Sequence, residues 1–503
     1  MNAKNVDVRL KNCVFNLTFL VRLLSSKVSE VIYKAFSKDY VKTIIVLLLI
    51  IFVSYHFSKR IALEHLRTVI IFSIFFLLAA ASISLKSGIT ALIIYLPFMA
   101  FIRRYIYVYG RYVAIDPILI ISDVITIWMF GYLILFKGKE IYKLFRGNKL
   151  VKCATILLFV FILQVFNPKQ GSILVGIGGA KYYIIPFLWF YLGLFVDVKF
   201  IRRILILIVV IGVVTALYGL KQTFLGFTPF EEYWIQWGGY SSLHLLRIIR
   251  SFSTFASAGE YAHYLTISGI ICFAFFLKSR QKITFLVALG IILTALFIAA
   301  VRSAIFTFVF SSIILVGFLV KDKKKGVLVS IALLLLIALF ISKAGFTPKV
   351  NQYNSLSVTS YHALKGVVNP MEESSLQSRL HGWFFVFPRL MIKNSFGYGL
   401  GTSTLAAWKF GSNLMATENL FLDIILSTGI VGALLFVIVL INVFSYSITL
   451  IKENTTKMLG ILGITVPLSF LLIGSSSEYT IFPIIWLLWG VIAKERSDQE
   501  RGF

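Results

Sequence analysis

Apolar stretches long enough to cross a bilayer recur from residue 43 to residue 494, and they constrain the fold more than any motif does. With spans needing about 20 residues, candidates fall at 43–57, 68–85, 89–102, 115–136, 150–166, 182–196, 201–221, 261–277, 283–301, 303–320, 326–342, 419–447, 458–474 and 478–494. They predict an all-α polytopic membrane protein, a bundle of roughly 12–14 transmembrane helices, with short spans at 43–57 and 89–102. Composition agrees: 59% of residues are hydrophobic and 14% charged, far from the balance of a soluble domain. The first apolar stretch does not read as a removable signal, because a basic tail of roughly 40 residues precedes it and further spans follow.

Lysine and arginine exceed aspartate and glutamate by 49 − 21 = 28. In a soluble protein that excess raises nucleic acid as a partner. Here it clusters mostly between spans, in "KGKEIYKLFRGNK" (137–149), "KSRQK" (278–282) and "KDKKK" (321–325). The positive-inside rule accounts for such clusters and makes membrane lipids, rather than nucleic acid, the expected partner. Placing them in the cytoplasm with the end at 495–503 makes the later loops alternate, and the basic tail at 1–42 then lies inside too.

Two long segments are left outside. One, 222–260, lies among the N-terminal spans (43–342); the other, 343–418, is a large outer loop ahead of the C-terminal spans (419–494). Loops this long are usually functional or disordered, and "LQSRLHGWFFVFPRLMIKNSFGYGLGTSTL" has the spacing of a packed subdomain with short helices. Arg103, Arg104 and Arg111 resist the scheme: either 89–102 is re-entrant or these arginines work outside, and we take the second. The three cysteines, Cys13, Cys153 and Cys272, form no disulfide framework, and the six histidines are dispersed, so no metal site is expected.

Four charged residues then fall, expensively, at the outer membrane surface: Arg250 in "RSFSTFASAGEYA", Arg302 in "FIAAVRSAIFTF", Arg379 in "SRLHGWFF" and Glu418 in "TENLFLD". Each has a plainer reading. Arg302 can snorkel to the headgroups, Arg250 can bind anionic lipid, and Arg379 can be a solvated helix-start residue. Glu418 can be favoured by a helix macrodipole. Asn419 and Asp423, four apart, share a helix face and suit a local hydrogen-bonded pair.

Together the four suggest a chemistry. Guanidinium forks bind phosphate oxygens bidentately and keep their charge, so two or three of them can clamp a pyrophosphate. A nearby carboxylate can take the proton of an attacking hydroxyl. That combination describes glycosyl transfer from a lipid-diphosphate donor, without a metal or other cofactor.

The same segments resemble the bacterial O-antigen ligase and O-antigen polymerase superfamily. Its ligases carry His, then Asn or Ser, nine residues, Gly, two residues, Gly. "ENLFLDIILSTGIVG" matches from Asn419 through Gly429 and Gly432, with Glu418 in the place of histidine. "RSFSTF" resembles the family's Arg-x-Phe-Gly-Thr-Phe, with Ser253 for glycine. "AAVRSAIFTF" resembles a later arginine-bearing helix start, and "SRLHGWFFVFPRLMIKNSFGYGLGTST" an outer-loop arginine and tryptophan followed by Gly-x-Gly. The likeness covers roughly residues 180 to 450, in order.

The resemblance implies a GT-C-like helical bundle in the bacterial cytoplasmic membrane with its site on the outer face. Arg250, Arg302 and Arg379 would hold an undecaprenyl-pyrophosphate-linked oligosaccharide. Glu418 would act as base with Asn419 and Asp423 orienting it, and Trp234, Trp237 and Trp383 would stack on sugars, although interfacial anchoring is a commoner use of tryptophan. A flippase and a chain-length regulator are the protein partners such an enzyme would have. The acidic residue at 418 favours a polysaccharide polymerase over a ligase that moves finished glycan to lipid A–core or protein. A transporter or flippase would instead be expected to carry charges near the bilayer midplane and broken helices in paired halves; here the charges concentrate at one surface.

Overall fold

The computed structural model describes residues 66–109, 117–238, 244–245, 248–279, 281–320, 324, 374–413, 415, 417–453, 455–471 and 480–500. The expected tail at 1–42, the spans at 43–57 and 326–342, Arg111 and residues 343–373 of the outer loop lie outside the described residues, as does the side chain of Trp237.

Helices make up nearly all of the described structure. In chain order they are α1 (Leu66–Ala81), α2 (Leu85–Tyr109), α3 (Ile118–Gly147), α4 (Lys149–Val165), α5 (Ile173–Gly193), α6 (Val198–Phe224), α7 (Pro229–Gly238) and α8 (Ala258–Lys278). They continue as α9 (Lys282–Ile298), α10 (Arg302–Leu319), α11 (Ser374–His381), α12 (Phe387–Lys393), α13 (Leu405–Lys409), α14 (Leu420–Ile451), α15 (Lys457–Leu471) and α16 (Phe482–Glu500). Strand pairing among the described residues is limited to β1 (His244–Leu245) against β2 (Ile248–Ile249), antiparallel. Among the described residues seven helices, α2, α3, α5, α6, α8, α10 and α14, are long and apolar enough to cross a membrane. The chain is a multi-pass helical membrane protein.

Several boundaries differ from the hydropathy reading, each for a physical reason. The short span at 89–102 is the middle of α2, a 25-residue helix of about 37 Å, long enough to cross a bilayer. The basic segment at 137–149 is helical as far as Gly147, because lysine, glutamate and leucine sustain a helix beyond the lipid. Helix α5 starts at Ile173, well before 182. Gly176, Gly178, Gly179 and Lys181 lower its hydropathy, but the glycines are there for close packing: a Cβ at Gly179 would meet the Gly401 backbone nitrogen at 2.5 Å.

Helix caps and cross-links sort the helix ends into two sets. At one end Asn148 caps α4 and donates to Ala493 O (2.8 Å) and Ser497 Oγ (2.8 Å) of α16. Lys86 at the start of α2 pairs with Asp197, the cap of α6, at 2.5 Å, and Lys494 donates to Val196 O. Lys278, closing α8, feels the charges of Arg202 and Lys457. The basic segments therefore gather at this end. The α4–α5 turn, the α6–α8 connection, the α9–α10 corner and the start of α14 lie at the opposite end, with the described outer-loop helices α11–α13.

Candidate functional site

The loop carrying Arg250 is fastened from below by buried polar groups. Arg250 follows β2, and burial pulls its guanidinium down from the usual arginine value, although arginine remains a cation in proteins. Ser253, three residues on, has φ +51°. Its amide and that of Phe252 donate to Gln222 Oε1 of α6 at 2.7 and 3.1 Å, and its hydroxyl donates to Thr215 O at 2.7 Å. Arg104 of α2, only 1% exposed, donates to Ser253 O at 2.6 Å and to Phe255 O, with its guanidinium 4.7 Å from the centre of the Phe252 ring. Gln222 in turn donates to the fully buried Glu231 of α7 at 2.7 Å. That carboxylate also receives the Tyr218 hydroxyl and both the amide and hydroxyl of Thr228.

Arg302 opens α10 directly after a tight corner in which Ala300 has φ +55°. The corner is pinned by Thr266 of α8, whose hydroxyl contacts Ala304 O at 3.0 Å. Arg302 lies within electrostatic reach of both Arg250 and Arg379.

Arg379 comes from α11, and its Nε contacts the Glu418 carboxylate. The two side chains are 36% and 55% exposed, so the pair lies at the protein surface. After α11 a single π-helical turn, Gly382–Val386, swings Trp383 round so that its indole N–H donates to Thr417 O at 2.8 Å. Glu418 itself has φ +52°. Asn419 caps α14 by accepting the Leu422 amide, and its own amide donates to Thr417 Oγ1. That hydroxyl lies 2.7 Å from both Asp423 Oδ1 and Asn419 O. Asp423 is fully buried.

Behind Glu418, α14 is broken. Gly429 has φ +71° and ψ −169°, and the chain 395–399 enters the gap. Tyr398 N–H donates to Leu426 O (2.8 Å), Gly399 N–H to Ser427 O (3.1 Å) and Ile430 N–H to Ser395 O (2.9 Å). The backbone groups freed by the break are thus satisfied, as they must be within a bilayer. A Cβ on Gly429 would meet Ser395 O at 2.2 Å, and one on Gly397 would meet Gly429 N at 2.6 Å. Leu420 and Ile424 also line a small apolar cavity of about 30 Å³ with Tyr183, Trp486 and Trp489. It has room for about one water molecule and not for a lipid chain.

The structure therefore brings Arg250, Arg302, Arg379 and Glu418 to one end of the bundle, away from the basic segments. Three guanidiniums less one carboxylate leave a net charge of 3 − 1 = +2. Asn419 and Asp423 do not pair through their side chains as the sequence suggested; both grip Thr417, which sets the backbone at Glu418. Trp383 binds the same residue. Trp234 is buried, edge-on to Tyr107 with Arg103 over its ring, so it packs the outer connection and offers no open face to a sugar.

Sequence reasoning missed Gln222 and Glu231, whose polar character inside α6 and at the start of α7 was the signal, and gave Arg103 and Arg104 no specific task. It also missed an ion pair inside the bundle. Lys181 of α5 and Asp123 of α3 meet at 2.7 Å, about 20% exposed, with Lys181 also donating to Leu119 O. That pair qualifies the expectation that the charges concentrate at one surface.

No family model matches the chain, and no curated protein sequence shows significant similarity to it.

Proposed function

We propose that the chain is a membrane glycosyltransferase of the O-antigen ligase and polymerase kind, acting as a polysaccharide polymerase at the outer face of a bacterial cytoplasmic membrane. The observation that carries this reading is the convergence of Arg250, Arg302, Arg379 and Glu418 at the end opposite the basic segments. Their net +2 complements the two negative charges of a lipid-linked diphosphate diester. Arginine is suited to such a ligand because its planar fork engages two oxygens at once and stays charged.

In the proposed reaction a hydroxyl of a lipid-linked repeat unit attacks the anomeric carbon of the growing glycan on undecaprenyl pyrophosphate. A new glycosidic C–O bond forms while the bond to the diphosphate breaks, its electron pair passing to the leaving diphosphate oxygen. Arg250 and Arg302 stabilise that charge, and the hydroxyl proton passes to Glu418. Arg379 is placed to exchange partners: a diphosphate arriving beside Arg250 and Arg302 competes with Glu418 for its guanidinium, releasing the carboxylate to act as base. A flippase supplying the donor and a chain-length regulator fit this reaction as protein partners.

The test uses purified protein with a synthetic undecaprenyl-diphosphate oligosaccharide. Native protein should yield a ladder of longer products. Glu418→Gln should give none while retaining expression and thermal stability, and a normal ladder from that variant would remove Glu418 as base. In cells, a null accumulating single repeat units on lipid supports a polymerase. Accumulation of long lipid-linked polymer would mean a ligase, and glycan translocation in vesicles without bond formation would mean a transporter.

A further inference from the structure

The outer helices bear an apolar face that packs against nothing described. Phe384 is 68% exposed, Ile392 85% and Trp408 76%, with Phe385, Phe396 and Leu405 exposed beside them. The adjoining face of the same segment turns inward: Phe387 is buried and Trp383 is bonded to Thr417 O, so the segment is two-faced. Phe384, Pro388 and Ile392 recur every four residues and form one stripe, flanked by the exposed cations Arg389 and Lys393, with Lys409 next to Trp408. An apolar stripe with basic margins and aromatic ends is the composition of a helix lying in a membrane interface.

Where the α13 part of this surface sits is fixed by α5. A Cβ at Gly178 of α5 would meet the Ala406 side chain at 2.6 Å and that of Phe410 at 3.1 Å, so α13 lies directly on a helix long and apolar enough to span. Leu174 and Ile177, on the neighbouring surface of α5, are 52% and 56% exposed, as lipid-facing residues are. Leu405 and Trp408 of α13 therefore continue the exposed apolar surface of α5, and α12, followed by the 395–399 backbone docked in the break of α14, stands at the same end of the bundle. The inserted backbone at 395–400 has its polar groups bonded to Gln164, Asn167 and α14, so it tolerates that depth.

We propose that residues 384–408 lie in the outer leaflet as an interfacial anchor, with Phe384, Ile392 and Trp408 immersed at acyl-chain level and Arg389, Lys393 and Lys409 on anionic phospholipid headgroups. Through Trp383 and Thr417 this anchor also sets the height of Arg379 and Glu418 above the leaflet. The inference does not depend on the reaction proposed above.

The test places nitroxide labels on cysteines introduced at Phe384, Ile392 and Trp408, in full-length protein whose Cys13, Cys153 and Cys272 are replaced by serine. Nanodiscs of phosphatidylethanolamine with phosphatidylglycerol provide the leaflet, and labels at Ile177 and Glu232 serve as immersed and aqueous references. Collisions with oxygen should exceed those with a water-soluble nickel chelate at all three sites, as at Ile177. Replacing phosphatidylglycerol by phosphatidylcholine should lower that ratio, and the triple variant Arg389→Gln/Lys393→Gln/Lys409→Gln should remove this lipid dependence. Values like those at Glu232 would overturn the proposal. So would protection from both reagents, which would mean that protein, either this chain or a second copy, covers the face.

Discussion

Glu418 holds its carboxylate on a backbone that only glycine adopts freely. Ser253, Ala300 and Glu418 are the non-glycine residues with positive φ among those described, and each adjoins the arginine–carboxylate cluster: Ser253 follows Arg250, Ala300 precedes Arg302, and Glu418 belongs to it. Such conformations cost about 1–3 kcal/mol each and persist where the surroundings over-determine them. At 418 those surroundings are Trp383, Asn419 and Asp423, all acting on Thr417. Glu418→Gly should therefore leave the unfolding temperature unchanged or raise it, by roughly 1 kcal/mol of stability, while abolishing polymer formation. The ion pair it deletes is too exposed to offset that gain, since surface pairs are worth about 0–1 kcal/mol. A clear fall in unfolding temperature would show Glu418 to be a structural residue. Ser253 also shows what a single sequence conceals. Its φ of +51° marks a backbone position suited to glycine, which the serine in the sequence does not announce.

Arg104 converts the end of α2 into a clamp on the Arg250 loop. Its fork reaches two carbonyls that no single ammonium can satisfy in the same geometry. Arg104→Lys should keep the bundle folded but displace Arg250, with a larger loss of activity than of thermal stability. Arg104→Met, which strands the carbonyls of Ser253 and Phe255, should destabilise by about 1–3 kcal/mol for each group left unsatisfied. Equal activity in the lysine variant and the native protein would remove the positioning role. Hydropathy found the apolar stretch of α2 and left Arg104 as an anomaly on its outer side, because the groups it holds are about 150 residues further along the chain. The glycines of α14 were likewise visible as a spacing but not as a break, since their partner is the backbone at 395–399. Gly429→Ala should disrupt that docking, its methyl falling on Ser395 O, and measurable unfolding at lower temperature is the expected result. The helical continuation of α3 through 137–147 belongs to the same lesson: hydropathy marks where lipid ends, whereas capping by Gly147 and Asn148 marks where the helix does.

Across the whole molecule the basic segments and the arginines of the candidate site lie at opposite helix ends. At one end the cations are mostly solvated or share surface pairs such as Lys137–Glu140. At the other, Arg103 and Arg104 are engaged by rings and carbonyls and Arg379 by Glu418, with Arg250 and Arg302 close enough to feel each other's charge. By the positive-inside rule, which counts cations near short loops, the first set would face the cytoplasm and the second would be retained despite the rule. The proposed chemistry requires this arrangement, because a lipid-linked repeat unit already flipped to the outer leaflet can reach only the second set. A cysteine at Lys139 should react with a membrane-impermeant maleimide only after cells are permeabilised, whereas one at Glu232 should react in intact cells treated to open the outer barrier. Labelling of Lys139 and Glu232 from the same side would contradict the end-to-end separation made by α3, α6 and their neighbours. Labelling in the reverse sense would leave the bundle standing but turn the arginine cluster toward the cytoplasm, and a polymerase acting on flipped lipid-linked units would then be impossible.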